Sequence, residues 1–398
     1  MLLGRTPHAV LLVGPGSAGK TTLALDLAAG LLCRDPDPGS RPCRDCRGCR
    51  LVATGNHPDL HRLAPEGPGG QVRIGAATDP DPGTVRHLIG ELALLSAEGG
   101  ARVAIVEQAH RLNEESQNAL LKTLEEPPAG VTIILCADDE ECLLPTVRSR
   151  CVRVRLGVVA GREIESWLGE LGFADAPRAA RLARLAGGRP GLALAYARST
   201  DAERLRGEIA RGLVDMLTEG RHARLAAVRD LVKSAAALDA ALEEGRRSGT
   251  TEAPGGSDRT ATAARRLRGR GPVAAEGPDG DGDGDAKGES ATVKMAASDR
   301  RSAAATLLDI WASIGRDLAV ARNGGLRQLR ETELVDEIRA SATTLAATSL
   351  TSFLSRLSDV ATQLDENVNP ELALDVLALS WPRSAPSAAA ERTTPARR

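Results

Sequence analysis

The sequence predicts an α/β fold with a parallel sheet built around a phosphate loop, followed by a small helical domain and a larger all-α region. Three observations carry this. Gly14-Pro15-Gly16-Ser17-Ala18-Gly19-Lys20-Thr21 fills every fixed position of the G-x-x-x-x-G-K-[ST] loop. Apolar runs of strand length alternate with helical patterns as far as about residue 156, which is the signature of a parallel sheet with crossover helices. From Gly161 onward the apolar spacing is helical, apart from a Gly-, Pro- and Asp-rich interruption.

Taken in order, residues 9–13 (Ala-Val-Leu-Leu-Val) form the first strand, and the helical spacing of residues 21–32 follows the loop. Strand, loop and helix in that order place an oligophosphate at a helix N-terminus. Glycine lets backbone N–H groups crowd around the phosphates, Lys20 reaches the β/γ-phosphates and Thr21 offers its hydroxyl to Mg²⁺. Gly14, Gly16, Ser17, Ala18, Gly19, Lys20 and Thr21, with Thr22 at the helix start, are the candidate nucleotide-binding residues. Further strands are expected at 60–63, 102–106, 132–136 and 152–156, and helices at 83–95 and 113–125. Residues 65–83 read as a surface loop.

Helical patterns at 161–198 are interrupted by Gly187-Gly188-Arg189-Pro190-Gly191, a helix–turn–helix junction. The resulting division is 1–156 for the phosphate-loop domain, 157–200 for a small helical domain, and 201–244 with 300–381 for a second helical domain. Residues 245–299, with their Gly/Asp repeat, and the tail 382–398 are expected to be disordered, since they offer little to bury. Arg265-Arg266-Leu267-Arg268-Gly269-Arg270 in that stretch is a solvated charge run or a local nucleic-acid contact.

Composition sets limits. The chain has 398 residues, enough for two or three domains, and 42% of them are hydrophobic. Aromatics are 2%, so packing rests on Leu, Val and Ala. The net charge of −2 gives no global signal for nucleic acid. No apolar stretch reaches the ~18–20 residues of a membrane span. A strand follows Met1-Leu2-Leu3-Gly4-Arg5 almost at once, so no signal peptide and a soluble cytoplasmic protein are expected.

Seven cysteines fall into two groups. Cys136, Cys142 and Cys151 are scattered through a later apolar region, whereas Cys33, Cys43, Cys46 and Cys49 are clustered in a proline-rich loop. Two short C-x-x-C steps plus one more distant cysteine fit a closed, structural Cys₄ Zn²⁺ site, whose metal supplies fold energy that the loop lacks. The alternative is four free thiols in a loop. At the end of the 102–106 strand, Glu107 stands where a phosphate-loop ATPase keeps the acid that faces Mg²⁺. It is a candidate catalytic acid, or simply a buried strand end. Gln108 follows it and cannot act as a general base, which favours nucleotide binding over hydrolysis. Arg150 is either a finger for a neighbouring subunit's γ-phosphate or a surface arginine.

Three features together resemble the clamp-loader branch of the AAA+ ATPases. They are Asn118-Ala119-Leu120-Leu121-Lys122-Thr123-Leu124-Glu125-Glu126-Pro127-Pro128, the Ser149-Arg150-Cys151 triplet and the four-cysteine insert after the first helix. The resemblance covers residues 8 to about 200, and returns more weakly at 311–325 and 367–374. It implies an AAA+ domain, a helical lid at 157–200 and a helical collar for ring formation. It implies ATP or ADP with Mg²⁺ as ligands, Arg150 as a finger acting in trans and Arg189 as a second sensor arginine. The implied partners are gamma/tau and delta subunits in a hetero-pentameric ring, the sliding β-clamp, and primer–template DNA reached through the complex. DNA-directed DNA polymerase activity belongs to the holoenzyme, since nothing in this chain resembles a polymerase palm. Motor subunits usually have Asp-Glu where this chain has Glu107-Gln108, and a sensor threonine where it has Ala137-Asp138-Asp139. These departures imply a stator-type subunit with weak hydrolysis of its own. The alternatives are an active gamma/tau-type ATPase and a zinc-stabilised adaptor that binds no nucleotide. Family members also carry a helix ahead of the first strand that walls the adenine pocket. About eight residues stand there in this chain, so an incomplete base pocket or a truncated start is expected.

Overall fold

Five strands, β1 (Ala9–Val13), β2 (Leu60–Leu63), β3 (Arg102–Val106), β4 (Val131–Ala137) and β5 (Val152–Arg155), form one parallel sheet in the order β2-β3-β4-β1-β5. The computed structural model of the chain describes residues 7–65, 72–98, 100–247, 296–365 and 368–384. β1 lies between β4 and β5, with Leu11 opposite Leu135 and Arg153. The chain reverses its direction of strand addition beside β1, so the crevice at the carboxyl ends of β1, β3 and β4 is the natural ligand position of such a sheet.

Side-chain alternation divides the sheet into two faces. Val10 and Leu12 face α1 (Lys20–Leu32) and α2 (Arg47–Ala53), packing with Ala24, Ala28, Leu32 and Val52. Ala9 and Leu11 face α3 (Val85–Ala93), α4 (Glu114–Glu125) and the short α5 (Pro145–Arg148), packing with Leu88, Leu120, Leu124 and Val147. β3 and β4 are buried along their whole length, as a central strand covered on both faces must be. α4 starts where the Asn113 side chain accepts the Ser116 N–H at 2.8 Å, and it stops ahead of Pro127-Pro128.

The remaining helices are α6 (Gly161–Glu170), α7 (Ala176–Ala186), α8 (Pro190–Arg198), α9 (Thr200–Asp215), α10 (Arg221–Arg247), α11 (Ala297–Arg322), α12 (Val335–Thr344), α13 (Ala347–Asp365) and α14 (Pro370–Ser380). They share one continuous apolar cluster from Ile164 to Trp381. Alanine and leucine fill most of it. The largest side chains sit together, with Trp311 and Phe353 ring centroids 5.6 Å apart and Phe353 and Trp381 4.5 Å apart. Trp381 Nε1 donates to Leu213 O at 2.9 Å, which satisfies its one polar atom and ties the chain beyond α14 to α9.

The expected strands at 9–13, 60–63 and 102–106 match the observed bounds, and β4 is one residue longer at each end than 132–136. α10 runs to Arg247 and α11 starts at Ala297, so a few residues at each end of the expected insert are helical. The basic run at 265–270, most of the insert, residues 66–71 of the surface loop and residues 385–398 of the tail lie outside the described residues. Among the described residues, no helix is long and apolar enough to cross a membrane.

Candidate functional site

The loop between β1 and α1 is fixed from both sides. Gly14 N–H donates to Ala137 O at 3.2 Å, and a Cβ on Gly14 would stand 2.3 Å from Leu156 O, so only glycine fits there. Ser17 (φ 60°) and Gly19 (φ 97°) take left-handed conformations that turn the chain into α1. Lys20 is the first residue of α1 and is 7% exposed. Its Nζ donates to Gly14 O at 2.7 Å and Pro15 O at 2.8 Å, and pairs with Asp138 Oδ1 at 2.7 Å. Burying an ammonium is costly unless its donors are satisfied, and here three partners satisfy three protons.

The acids come from the ends of neighbouring strands. Glu107 follows β3, and Arg62 of β2 donates to its Oε1 through Nε at 2.9 Å and through Nη2 at 2.5 Å. Gln108 is left-handed at φ 51°. Asp138 follows β4, and its N–H donates to His110 Nδ1 at 3.1 Å. Within β4, two residues before Asp138, burial pushes the Cys136 thiol up to about 12, with Glu107 and Asp138 acting in the same direction, so it is inert at neutral pH.

Helices from the second half of the chain close over this crevice. Gly191 N–H at the start of α8 donates to Ser17 O at 3.0 Å, and Arg246 near the end of α10 reaches Ser17 Oγ at 3.3 Å. Between them is a cavity of about 790 Å³, where Gly16, Ser17, Gly19, Lys20, Thr21 and Thr22 meet Glu107 and Arg189. Seven cationic and five acidic side chains line it. Gly14 and Ala18 are not in its wall. Gly14 supports the loop from behind, and the Ala18 N–H closes the turn onto Pro15 O at 3.2 Å. Arg189 caps α7 by donating to Ala186 O at 3.0 Å, and pairs with Asp309 of α11 at 2.5 Å. A glycine-lined loop at a helix N-terminus, a buried lysine and a net cationic wall fit an oligophosphate ligand. Lys20, Thr21 and Thr22, at the start of α1, line the cavity where such a ligand would sit.

Arg150 lies apart from this cavity. It follows α5 on the other side of the sheet, where its guanidinium donates to Thr146 O at 2.8 Å and pairs with Glu125 at the end of α4. Residue spacing alone does not reveal that the acid of the helix-and-prolines motif holds the Ser-Arg-Cys arginine.

The four clustered cysteines come together at the far end of α1. Cys33 caps its C-terminus and Cys46 caps the N-terminus of α2. Their Sγ atoms all lie within 4.8 Å of one another, with Cys33–Cys43 at 3.5 Å, Cys33–Cys46 at 3.9 Å and Cys43–Cys49 at 4.0 Å. A tetrahedral zinc with Zn–S of about 2.3 Å needs sulfur–sulfur edges of about 3.8 Å, so the donor set fits Zn²⁺ in both chemistry and spacing. Backbone N–H groups of Arg34 and Cys49 hold the Cys46 thiol down to about 6, whereas burial pushes Cys49 up to about 12. Glu98 ties the lobe to the body by pairing with Arg34 at 2.6 Å and with Arg47.

Sequence reasoning alone misses Arg62, Arg246 and Asp309. Each reaches the crevice through tertiary contact from an element with no phosphate-loop motif.

Residues 2–159 match the family model described as "DNA polymerase III, delta subunit". The DNA polymerase III subunit delta' of Pseudomonas aeruginosa is 36% identical over 185 residues, 46% of this chain and 53% of that protein. That of Escherichia coli K12 is 38% identical over 193 residues, 48% of this chain and 55% of that protein. The DNA polymerase III subunit tau of Salmonella typhimurium is 36% identical over 184 residues, 45% of this chain and 27% of that protein. A solved gamma subunit-related protein of Thermotoga maritima aligns with 94% of this chain at 15% identity and a TM-score of 0.38. The chain thus spans about half the length of the curated delta' relatives it matches.

Proposed function

We propose that this chain, whose N-terminal matches support the delta-prime assignment, acts as a stator-type clamp-loader subunit in DNA replication. It would stand in a hetero-pentameric ring with gamma/tau and delta subunits that opens the sliding β-clamp and places it on primer–template DNA. Residues 157–200 serve as lid, and 201–244 with 300–381 as collar. The site holds ATP or ADP with Mg²⁺ at Lys20, Thr21 and Thr22, and hydrolyses it weakly. Arg150 serves a neighbour's nucleotide in trans, and Zn²⁺ sits on Cys33, Cys43, Cys46 and Cys49.

The separation of Arg150 from its own cavity carries this reading. Within the crevice, Lys20, Glu107 and Arg189 are each already paired with another residue of the chain. Gln108, after Glu107, lacks the carboxylate that would polarise water. Arg150, a third exposed and held by Thr146 O, Ser149 Oγ and the half-exposed Glu125, stands at the surface where a partner can reach it.

Equilibrium binding and turnover on the purified chain test the nucleotide half of this reading. Labelled ATP or ADP is expected to bind, Lys20→Ala to abolish binding, and turnover to stay near background. Appreciable turnover abolished by Lys20→Ala would instead identify a gamma/tau-type ATPase. Absence of any nucleotide binding would identify a structural adaptor.

A further inference from the structure

Asp138 lies in the segment where a sensor threonine is expected, yet it is an acid and it meets the loop lysine. Its Oδ1 lies 2.7 Å from Lys20 Nζ, and its Oδ2 lies 3.2 Å from where a Cβ on Gly16 would stand. The carboxylate therefore spans the mouth of the loop between the lysine and Gly16. Its side chain is 45% exposed against 8% for Lys20, so it reaches the lysine from the cavity side. The backbone cannot swing away freely. Asp138 N–H is held by His110, and Ala137 O accepts the N–H of Gly14.

We infer that Asp138 is a specificity-determining residue that makes this site favour a nucleoside diphosphate over a triphosphate. The inference rests on the nucleotide reading above. Loop backbone N–H groups cradle the α- and β-phosphates, so a β-phosphate has the loop as well as Lys20, whereas a γ-phosphate lies beyond that cradle. A terminal phosphate depends on the lysine, whose three protons are already taken by Gly14 O, Pro15 O and Asp138. It would have to displace the Asp138 carboxylate from the lysine and then lie beside it, because the backbone that carries Asp138 is held. Cations in the wall that could compensate are engaged as well, Arg62 by Glu107, Arg189 by Asp309 and Arg246 by Glu243. A like charge built into a site selects against the ligand with more negative charge, while the shorter ligand is little affected.

The test measures affinities of the full chain for fluorescent ADP and ATP, with Mg²⁺ and with EDTA. Asp138→Asn and Asp138→Thr are compared with the unaltered chain. Asp139→Asn is the control, because Asp139 only accepts the Glu141 N–H at 2.9 Å. The unaltered chain is expected to prefer ADP. Both Asp138 variants are expected to tighten ATP binding by on the order of tenfold with ADP affinity nearly unchanged, the scale of removing one like charge beside a phosphate. An unchanged ATP-to-ADP ratio would overturn the inference and leave the nucleotide site standing. Weaker ATP binding by Asp138→Asn in Mg²⁺ alone would overturn it differently, by identifying the carboxylate as a support for the metal. Failure of every form to bind either nucleotide would overturn the proposed function, and the inference with it.

Discussion

On one face of the sheet, α1 carries Lys20 at its N-terminus and ends at Cys33 in the cysteine lobe. On the other, α4 and α5 leave Arg150 at a corner held by Glu125 and Thr146. The first face is closed. Its lysine is buried, its charges are paired internally, and helices from the second half of the chain rest on the loop. The second face is open, and an exposed pair such as Arg150–Glu125 stabilises by only about 0–1 kcal/mol. Arg150 can therefore be redirected to a partner at low cost, whereas Lys20 has three contacts to give up. One face is suited to holding a ligand in place and the other to acting on something outside the chain.

The largest expected effect comes from the cysteine lobe. Chelating the metal or replacing Cys46 with Ser is expected to lower zinc from about one per chain to well below that, and to expose residues 33–53 to protease. Because the lobe ends α1, nucleotide affinity at Lys20 should fall while the Arg150 corner is unaffected. Elemental analysis, limited proteolysis and nucleotide binding on one preparation check this. Folded, protease-resistant protein without metal would break the link between lobe and loop.

Much of this contrast is legible in the sequence, and the unread part has a physical cause. The strands and the phosphate loop are local patterns, so residues 9–13 and 102–106 could be placed from apolar runs alone. The helix expected at 83–95 is shorter because the Thr84 side chain caps it, accepting the His87 N–H at 3.4 Å, and Leu94 and Leu95 fall outside it in exposed positions. The Cys₄ spacing foretold the clustering of four sulfurs. Strand register, by contrast, decides that Arg62 faces Glu107, and tertiary packing brings Arg246 to Ser17. Neither leaves a trace at short sequence separation. The Lys20–Asp138 pair lies between these cases. The acid is conspicuous in Ala137-Asp138-Asp139, but its partner emerges only when β4 lies beside β1.

A smaller effect is expected at the cavity wall. Burial raises the Asp239 carboxyl above its ordinary value, partly offset by hydrogen bonds from Thr306 and Ser302. A raised carboxyl binds its proton more tightly in the folded state, so its contribution to stability is lost as pH climbs from about 4 through the folded value. Asp239→Asn is therefore expected to raise Tm at neutral pH and to leave it unchanged near pH 4, in thermal melts across that range. A lower Tm at neutral pH would show that the carboxylate is paired within the cavity instead.

The most direct test of the division between the two faces is ATP turnover by a loader reconstituted from this chain with gamma/tau and delta subunits, clamp and primed DNA. Arg150→Ala is expected to cut turnover by on the order of a thousandfold, the scale of a lost arginine finger, without altering the Tm of the chain, while Lys20→Ala leaves turnover nearly intact. Normal turnover with Arg150→Ala and collapse with Lys20→Ala would contradict the account.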